Sequence, residues 1–193
     1  MITVGLYNKI IKALLPFVYD VKADNNIDTA YGLECLCFSF TDESTLEISA
    51  TDGYCLVVFT LDVFHGSPAD MKILIKADNP ALIMESPSNE DICILPFEGL
   101  MLTTNTGSTV ISDYSGDFPD YGEIVNPSEP LGNAYLEIDP KRLLLMLEII
   151  RQFLPSPNTI TVKTKGSKRP VVLSFSPNEP LIKTVKVAIM PYK

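Results

Sequence analysis

The chain has 193 residues, 46% hydrophobic and 20% charged, which is apolar enough to bury a core and excludes a disordered tail. Its formal net charge of −9, with a pI near 4.6, excludes a broad basic surface that grips phosphates and leaves room only for local cationic patches. No apolar run is long enough to cross a bilayer, and Met1-Ile2-Thr3-Val4-Gly5 lacks the basic stretch and apolar core of a leader, so a cytoplasmic location is expected.

Taken in order, three segments (1–66, 67–130 and 131–193) follow one plan of strand, helix and three strands. In the first, a helix over 6–17 buries Leu6, Ile10, Leu14 and Phe17 and leaves Asn8, Lys9 and Lys12 on the wet side. Strands over 32–40, 46–50 and 55–61 follow, with polar turns between them. The second has a strand over 72–76, a short helix over 80–85, and strands over 92–95, 100–104 and 109–113. Pro127-Ser128-Glu129-Pro130-Leu131-Gly132-Asn133 reads as a linker.

The third segment shows the plan most clearly. A strand over 135–138 leads to Asp139-Pro140, an N-cap followed by proline at the first helical position. The helix runs to about 154 with Leu143, Met146, Leu147, Ile150, Phe153 and Leu154 on one apolar stripe, and Pro155 and Pro157 stop it. Strands over 159–164, 170–176 and 182–190 complete the segment. The pattern predicts an α+β fold in which helices cover one face of antiparallel sheets.

Chemistry-bearing motifs are sparse. His65 is the only histidine, and there is no Gly-x-Ser-x-Gly, phosphate loop or zinc spacing, so neither an enzyme nor a cofactor is expected. Cys35 and Cys37 alternate along a strand and read as buried, reduced thiols; Asp117 and Asp120 read as parts of a turn.

Three short runs carry a resemblance. They are Leu46-Glu47-Ile48-Ser49-Ala50-Thr51-Asp52-Gly53-Tyr54-Cys55-Leu56, Gly116-Asp117-Phe118-Pro119-Asp120-Tyr121, and the ending Val187-Ala188-Ile189-Met190-Pro191-Tyr192-Lys193. Together and in this order they resemble the bacterial DNA sliding clamp, the DNA polymerase III beta subunit family. Residues 1–126 look like its complete middle domain of two repeats, 127–133 like a linker, and 134–193 like half of its C-terminal domain. The first domain of the family is without a counterpart. Such a reduced clamp suits a phage or mobile element.

The resemblance implies a non-enzymatic processivity factor that tethers a replicative polymerase or other replication proteins to DNA through a peptide-binding groove. The alternative is a clamp-like adaptor or decoy that binds clamp-binding peptides without encircling DNA. Matched motif by motif, the groove comprises Leu33, Thr51, Gly53, Tyr54, Cys55, Leu56, Pro119, Ile124, Arg142, Pro170, Val171, Ile189, Met190, Pro191 and Tyr192. Its apolar side chains suit a linear peptide that inserts a few anchors. Cys55, Glu123 and Lys193 stand where the family carries arginine, which makes the rim less basic.

Double-stranded DNA, bound weakly and without sequence preference, would face Lys9, Lys12, Lys141 and Arg151, with Arg142 a candidate for either surface. A clamp loader is a further implied partner. The family's ring uses about twelve repeats, so a chain of three implies a homo-oligomer of four copies, or of two as half a ring.

Overall fold

The computed structural model describes residues 1–19, 32–66, 70–126, 138–154, 159–164 and 170–190. Strand β1 (Ile2–Thr3) leads into helix α1 (Val4–Leu14), whose N-cap Thr3 accepts the Leu6 amide at 3.3 Å through Oγ1. A 3₁₀ turn over Leu15–Phe17, with Pro16 in it, ends the helix. Strands β2 (Cys35–Asp42), β3 (Thr45–Thr51) and β4 (Cys55–Asp62) follow as a meander.

The plan then repeats. Strand β5 (Met71–Lys76) and a single 3₁₀ turn (Pro80–Leu82) precede β6 (Asp91–Pro96), β7 (Leu100–Thr103) and β8 (Ser108–Ile111). A short helix α2 (Gly122–Val125) closes this part. Helix α3 (Pro140–Phe153) leads to β9 (Thr161–Thr164), β10 (Val171–Phe175) and β11 (Ile182–Ile189). Asp139 caps α3 by accepting the Lys141 amide at 2.9 Å, with Pro140 in its first turn. The strand expected over 135–138 lies largely outside the described residues.

Two antiparallel sheets organise these elements. The smaller has the order β1-β6-β7-β8 and the larger β5-β2-β3-β4-β11-β10-β9. The first two repeats exchange strands: β1 pairs with β6 of the second, and β5 pairs with β2 of the first. The third repeat joins the first edge to edge, β11 running along β4 from Ile182 opposite Leu61 to Ile189 opposite Cys55.

One large core lies under the helices, where Ile10, Leu14, Phe17, Phe38, Phe59, Met146, Ile149 and Phe153 are buried together. Burial of these side chains is the main term holding the helices to the sheet. The α+β architecture with helices over antiparallel sheets matches the sequence pattern. No described helix is long and apolar enough to cross a membrane.

Two helix faces differ from the periodicity. Asn8 is not a solvated residue: its Nδ2 donates to the Met84 carbonyl at 2.8 Å, and its Oδ1 accepts the Met84 amide at 3.0 Å. It ties α1 to the second repeat. On α3 the sheet takes Ile149 along with Met146 and Phe153, while Leu147 is 46% exposed. The expected stripe is therefore rotated, and part of it faces outward.

Candidate functional site

The turn between β3 and β4 shows why its residues sit where they do. Gly53 has φ of +84°, a left-handed conformation that a side chain at this position would strain. Asp52 Oδ1 accepts the amides of Tyr54 at 2.8 Å and Cys55 at 2.6 Å, and Thr51 Oγ1 accepts the Gly53 amide at 3.1 Å while donating to the Cys55 carbonyl at 2.7 Å. These bonds fix the turn and leave Tyr54 half-exposed at its tip.

Three other segments meet this turn. The Met190 amide donates to the Tyr54 carbonyl at 2.8 Å, which holds the end of β11 against the turn. The Arg142 guanidinium lies over the Tyr54 ring, 4.0 Å from its centroid, and its Nε is 4.0 Å from Asp52 Oδ2. Leu33 Cδ1 comes within 3.8 Å of the position a Cβ would take on Gly53. Pro170 precedes Val171, which pairs with Ile189, and so lies beside Met190.

Behind the turn, the sheet sorts its residues by face. Leu56, Ala188 and Val172 sit opposite one another across β4, β11 and β10, on the face away from α1 and α3. They form an apolar cluster with Val58, Tyr121 and Val125, against which Phe118 and Ile124 pack. Pro119 lies in this covering segment and is half-buried. The Tyr121 hydroxyl donates to Glu47 Oε2 at 3.0 Å, and the Asp120 carboxylate accepts the Gly122 amide at 3.1 Å. The first bond pins the segment on β3, and the second fixes the local turn that starts α2. Burial, with the nearby Glu47 carboxylate adding to it, pushes the Tyr121 hydroxyl's pKa up and keeps it a donor.

Cys55, Val171 and Ile189 form the neighbouring row across the same three strands and are buried on the helix side of the sheet. They support the site from below and do not line it, because alternation along a strand sends adjacent side chains to opposite faces. Burial pushes the Cys55 thiol up to about 12. Thr51 is likewise buried and acts through its hydroxyl. Pro191 and Tyr192 lie outside the described residues. The solvent-facing part is Tyr54 and Met190, flanked by half-buried Leu33, Pro119, Ile124, Arg142 and Pro170.

Sequence reasoning missed Phe118, Tyr121, Val125, Val172 and Ala188. Strand alternation from Leu56 and Ile189 signals the last two, once the register of β4, β11 and β10 is known. A separate hollow on the third repeat, lined by Thr159, Thr161, Ser174, Phe175, Ser176 and Thr184, is mostly polar.

The cationic candidates divide. Lys12 and Lys141 are exposed, and α1 and α3 cover the same face of the large sheet. Lys9 is half-buried, its Nζ 4.4 Å from the Phe153 ring centroid. Arg151 is exposed but engages Glu148 with Nε at 2.9 Å and Nη2 at 2.7 Å, and with Gln152 this holds the Glu148 carboxyl down at about 2. Its charge is largely compensated. Arg142 belongs to the turn and not to the open helix face.

Solved structures with the same fold are bacterial sliding clamps. A Helicobacter pylori beta clamp bound to a DNA ligase peptide superposes with a TM-score of 0.71 at 11% identity, covering 100% of this chain and 64% of that one. A Pseudomonas aeruginosa sliding clamp bound to griselimycin gives 0.69 at 12% identity, with 100% and 64% covered. The Borrelia burgdorferi beta subunit in complex with a natural product gives 0.67 at 15%, with 100% and 63% covered. The chain thus spans about two thirds of the length of these clamps. No family model and no curated protein sequence matches it.

Proposed function

We propose that the chain is a clamp-like, non-enzymatic tether that captures short peptide tails of replication proteins at the Tyr54–Met190 site. The single observation behind this reading is the meeting of three separate segments, 51–56, 118–125 and 170–190, around one apolar cluster with an exposed aromatic and an exposed methionine at its rim. Methionine adapts its shape to varied apolar ligands, and tyrosine offers a ring with a polar tip. The peptide-bound state of the Helicobacter pylori clamp supports the same use of the fold.

In this reading, residues 1–126 act as a complete clamp-like domain and 134–193 as a half-domain. The outer faces of α1 and α3 present Lys9, Lys12 and Lys141 to duplex DNA, with weak, salt-dependent and sequence-independent contacts. The direct test of the site is anisotropy of a labelled polymerase-tail peptide. Micromolar binding that is lost in Met190→Glu supports the reading, and no binding to the folded chain refutes it.

One observation favours a second reading. Glu148 compensates Arg151 and Lys9 rests on Phe153, so Lys12 and Lys141 are the α1 and α3 cations that remain exposed without a carboxylate partner among the described residues. That is little positive charge for a chain of net charge −9. An adaptor that binds the same peptides without encircling DNA needs no more. Retention on covalently closed circular DNA, with release on linearisation, separates the two.

A further inference from the structure

The charge of the chain is concentrated in one part of it. Residues 77–126, most of the second repeat and the segment after it, hold nine of the 24 Asp and Glu and no Lys or Arg. The other 15 acids are matched by the 15 Lys and Arg of the remaining sequence, so the whole net charge of −9 belongs to this stretch.

The small sheet in this stretch also departs from the alternation that leaves one face polar. Ile92, Ile94, Leu100, Leu102 and Ile111 enter the core. The residues between them point to the opposite face, and several of these are apolar too. Leu95, Met101 and Val110 lie in register across β6, β7 and β8, with Cys93 beside them on β6. Leu95 and Met101 are half-buried and belong to none of the described cores, and Val110 is 50% exposed. Phe97, two residues beyond Leu95, is 55% exposed. Its amide donates to the Gly99 carbonyl at 2.8 Å across a tight turn in which Glu98 has φ of +48°, and this holds Phe97 and Glu98 at the border of the patch. Asp91 shares the face with Cys93 and Leu95 and, like Glu98, is exposed. A bare apolar patch with a polar rim marks a contact surface.

We propose that this outer face of the small sheet docks a cationic amphipathic helix of another protein. Charge selects the occupant. Duplex DNA, an anionic bilayer and a second copy of the chain would each bring like charge to this repeat, whereas a lysine-rich segment brings the opposite sign. Spacing favours a helix. The row from Leu95 to Val110 crosses two strand gaps, about 10 Å. Apolar side chains at i, i+4 and i+7 of a helix span about 10 Å along its axis. A helix laid across the strands therefore sets three anchors over Leu95, Met101 and Val110, with its lysines toward Asp91 and Glu98. Met101 adapts to the shape of such anchors, and Phe97 adds an aromatic wall. The face shares no residue with the Tyr54–Met190 site, so the proposal stands apart from peptide capture there.

The test is the anisotropy of a labelled synthetic helix titrated with the full chain. The probe has about 18 residues, enough to hold a helix once docked, with leucine at i, i+4 and i+7 and lysine around them. A scrambled peptide of the same composition controls for charge alone. The ordered probe is expected to bind with micromolar Kd and the scrambled one at least about tenfold more weakly, both less tightly as salt is added. Phe97→Ser with Val110→Thr changes two exposed side chains and should lower affinity for the ordered probe at least about tenfold, with the fold checked by circular dichroism. Tyr54→Glu with Met190→Glu should not weaken it.

A second, nearly isosteric variant carries the test if the first does not fold. Asp91→Asn with Glu98→Gln should weaken binding roughly threefold and flatten its salt dependence. Failure of the ordered probe to bind, equal binding of the ordered and scrambled peptides, or parent affinity in either folded variant of the patch overturns the proposal. Loss of binding only in the Tyr54–Met190 variant overturns it as well, because it would place the helix in the other site.

Discussion

The guanidinium of Arg142 stacks on the ring of Tyr54 at 4.0 Å, and this contact straps α3, on one side of the large sheet, to the β3–β4 turn at its end. Asp52 fixes the turn through two amides and also faces Arg142 at 4.0 Å. The third repeat therefore meets the first both through the β4–β11 ladder and through this side-chain strap. A double-mutant cycle with Arg142→Ala and Tyr54→Ala should give a coupling of roughly 0.5–1 kcal/mol in thermal or urea unfolding, the size expected of a half-exposed cation–π pair. Strict additivity would mean the stacking carries no energy.

A buried hydroxyl offers a stabilising substitution. Tyr7 is fully buried in α1, and its hydroxyl has no hydrogen-bond partner among the described residues. Burying such a group costs about 1–3 kcal/mol of desolvation. Tyr7→Phe removes that cost and keeps the ring, so it should raise unfolding stability by about 1 kcal/mol. A lower midpoint in urea would show that the hydroxyl is satisfied after all.

Thiol reactivity should follow burial. Cys35, Cys37 and Cys55 are buried, and burial pushes each thiol up to about 12, whereas Cys93 is only half-buried. The thiolate is the reactive form, so at pH 8 the three are almost wholly protonated. A disulfide reagent should modify Cys93 first in the native protein, and the other three only on unfolding. Rapid labelling of Cys37 in the folded state would contradict the packing of β2.

Contacts with DNA should depend on few charges. Lys12→Glu with Lys141→Glu is expected to shorten residence on DNA and to flatten its salt dependence, while peptide affinity stays the same. Equal residence for the double variant and the parent would mean that the outer faces of α1 and α3 do not meet the duplex. Arg151→Ala should matter less, because Glu148 already holds that guanidinium.

Much of this architecture is legible in the residues. Alternation marks β2 to β4 and β9 to β11 to within a few residues, and Asp139-Pro140 marks the start of α3. Local patterns do not say which flank of a helix a sheet will take, so Leu147 and Ile149 exchange roles on α3. Nor do they disclose contacts across 76 positions, which is why Asn8 reads as solvated when it bonds to Met84. The site shows the same division. Period two separates Cys55 from Leu56, but only the register of β4, β11 and β10 shows that Leu56, Val172 and Ala188 face the covering segment while Cys55, Val171 and Ile189 lie on the side of α1 and α3.

Capture of a peptide at the Tyr54–Met190 rim is the centre of the account, and titration of a fluorescent polymerase-tail peptide against the full chain tests it most directly. Tyr54→Glu with Met190→Glu changes two exposed side chains and leaves the buried Leu56–Ala188–Val172 row intact. The account predicts micromolar binding to the parent and a loss of at least about tenfold, roughly 1.4 kcal/mol, in the folded double variant. Equal affinity for parent and variant would place the peptide elsewhere and contradict it.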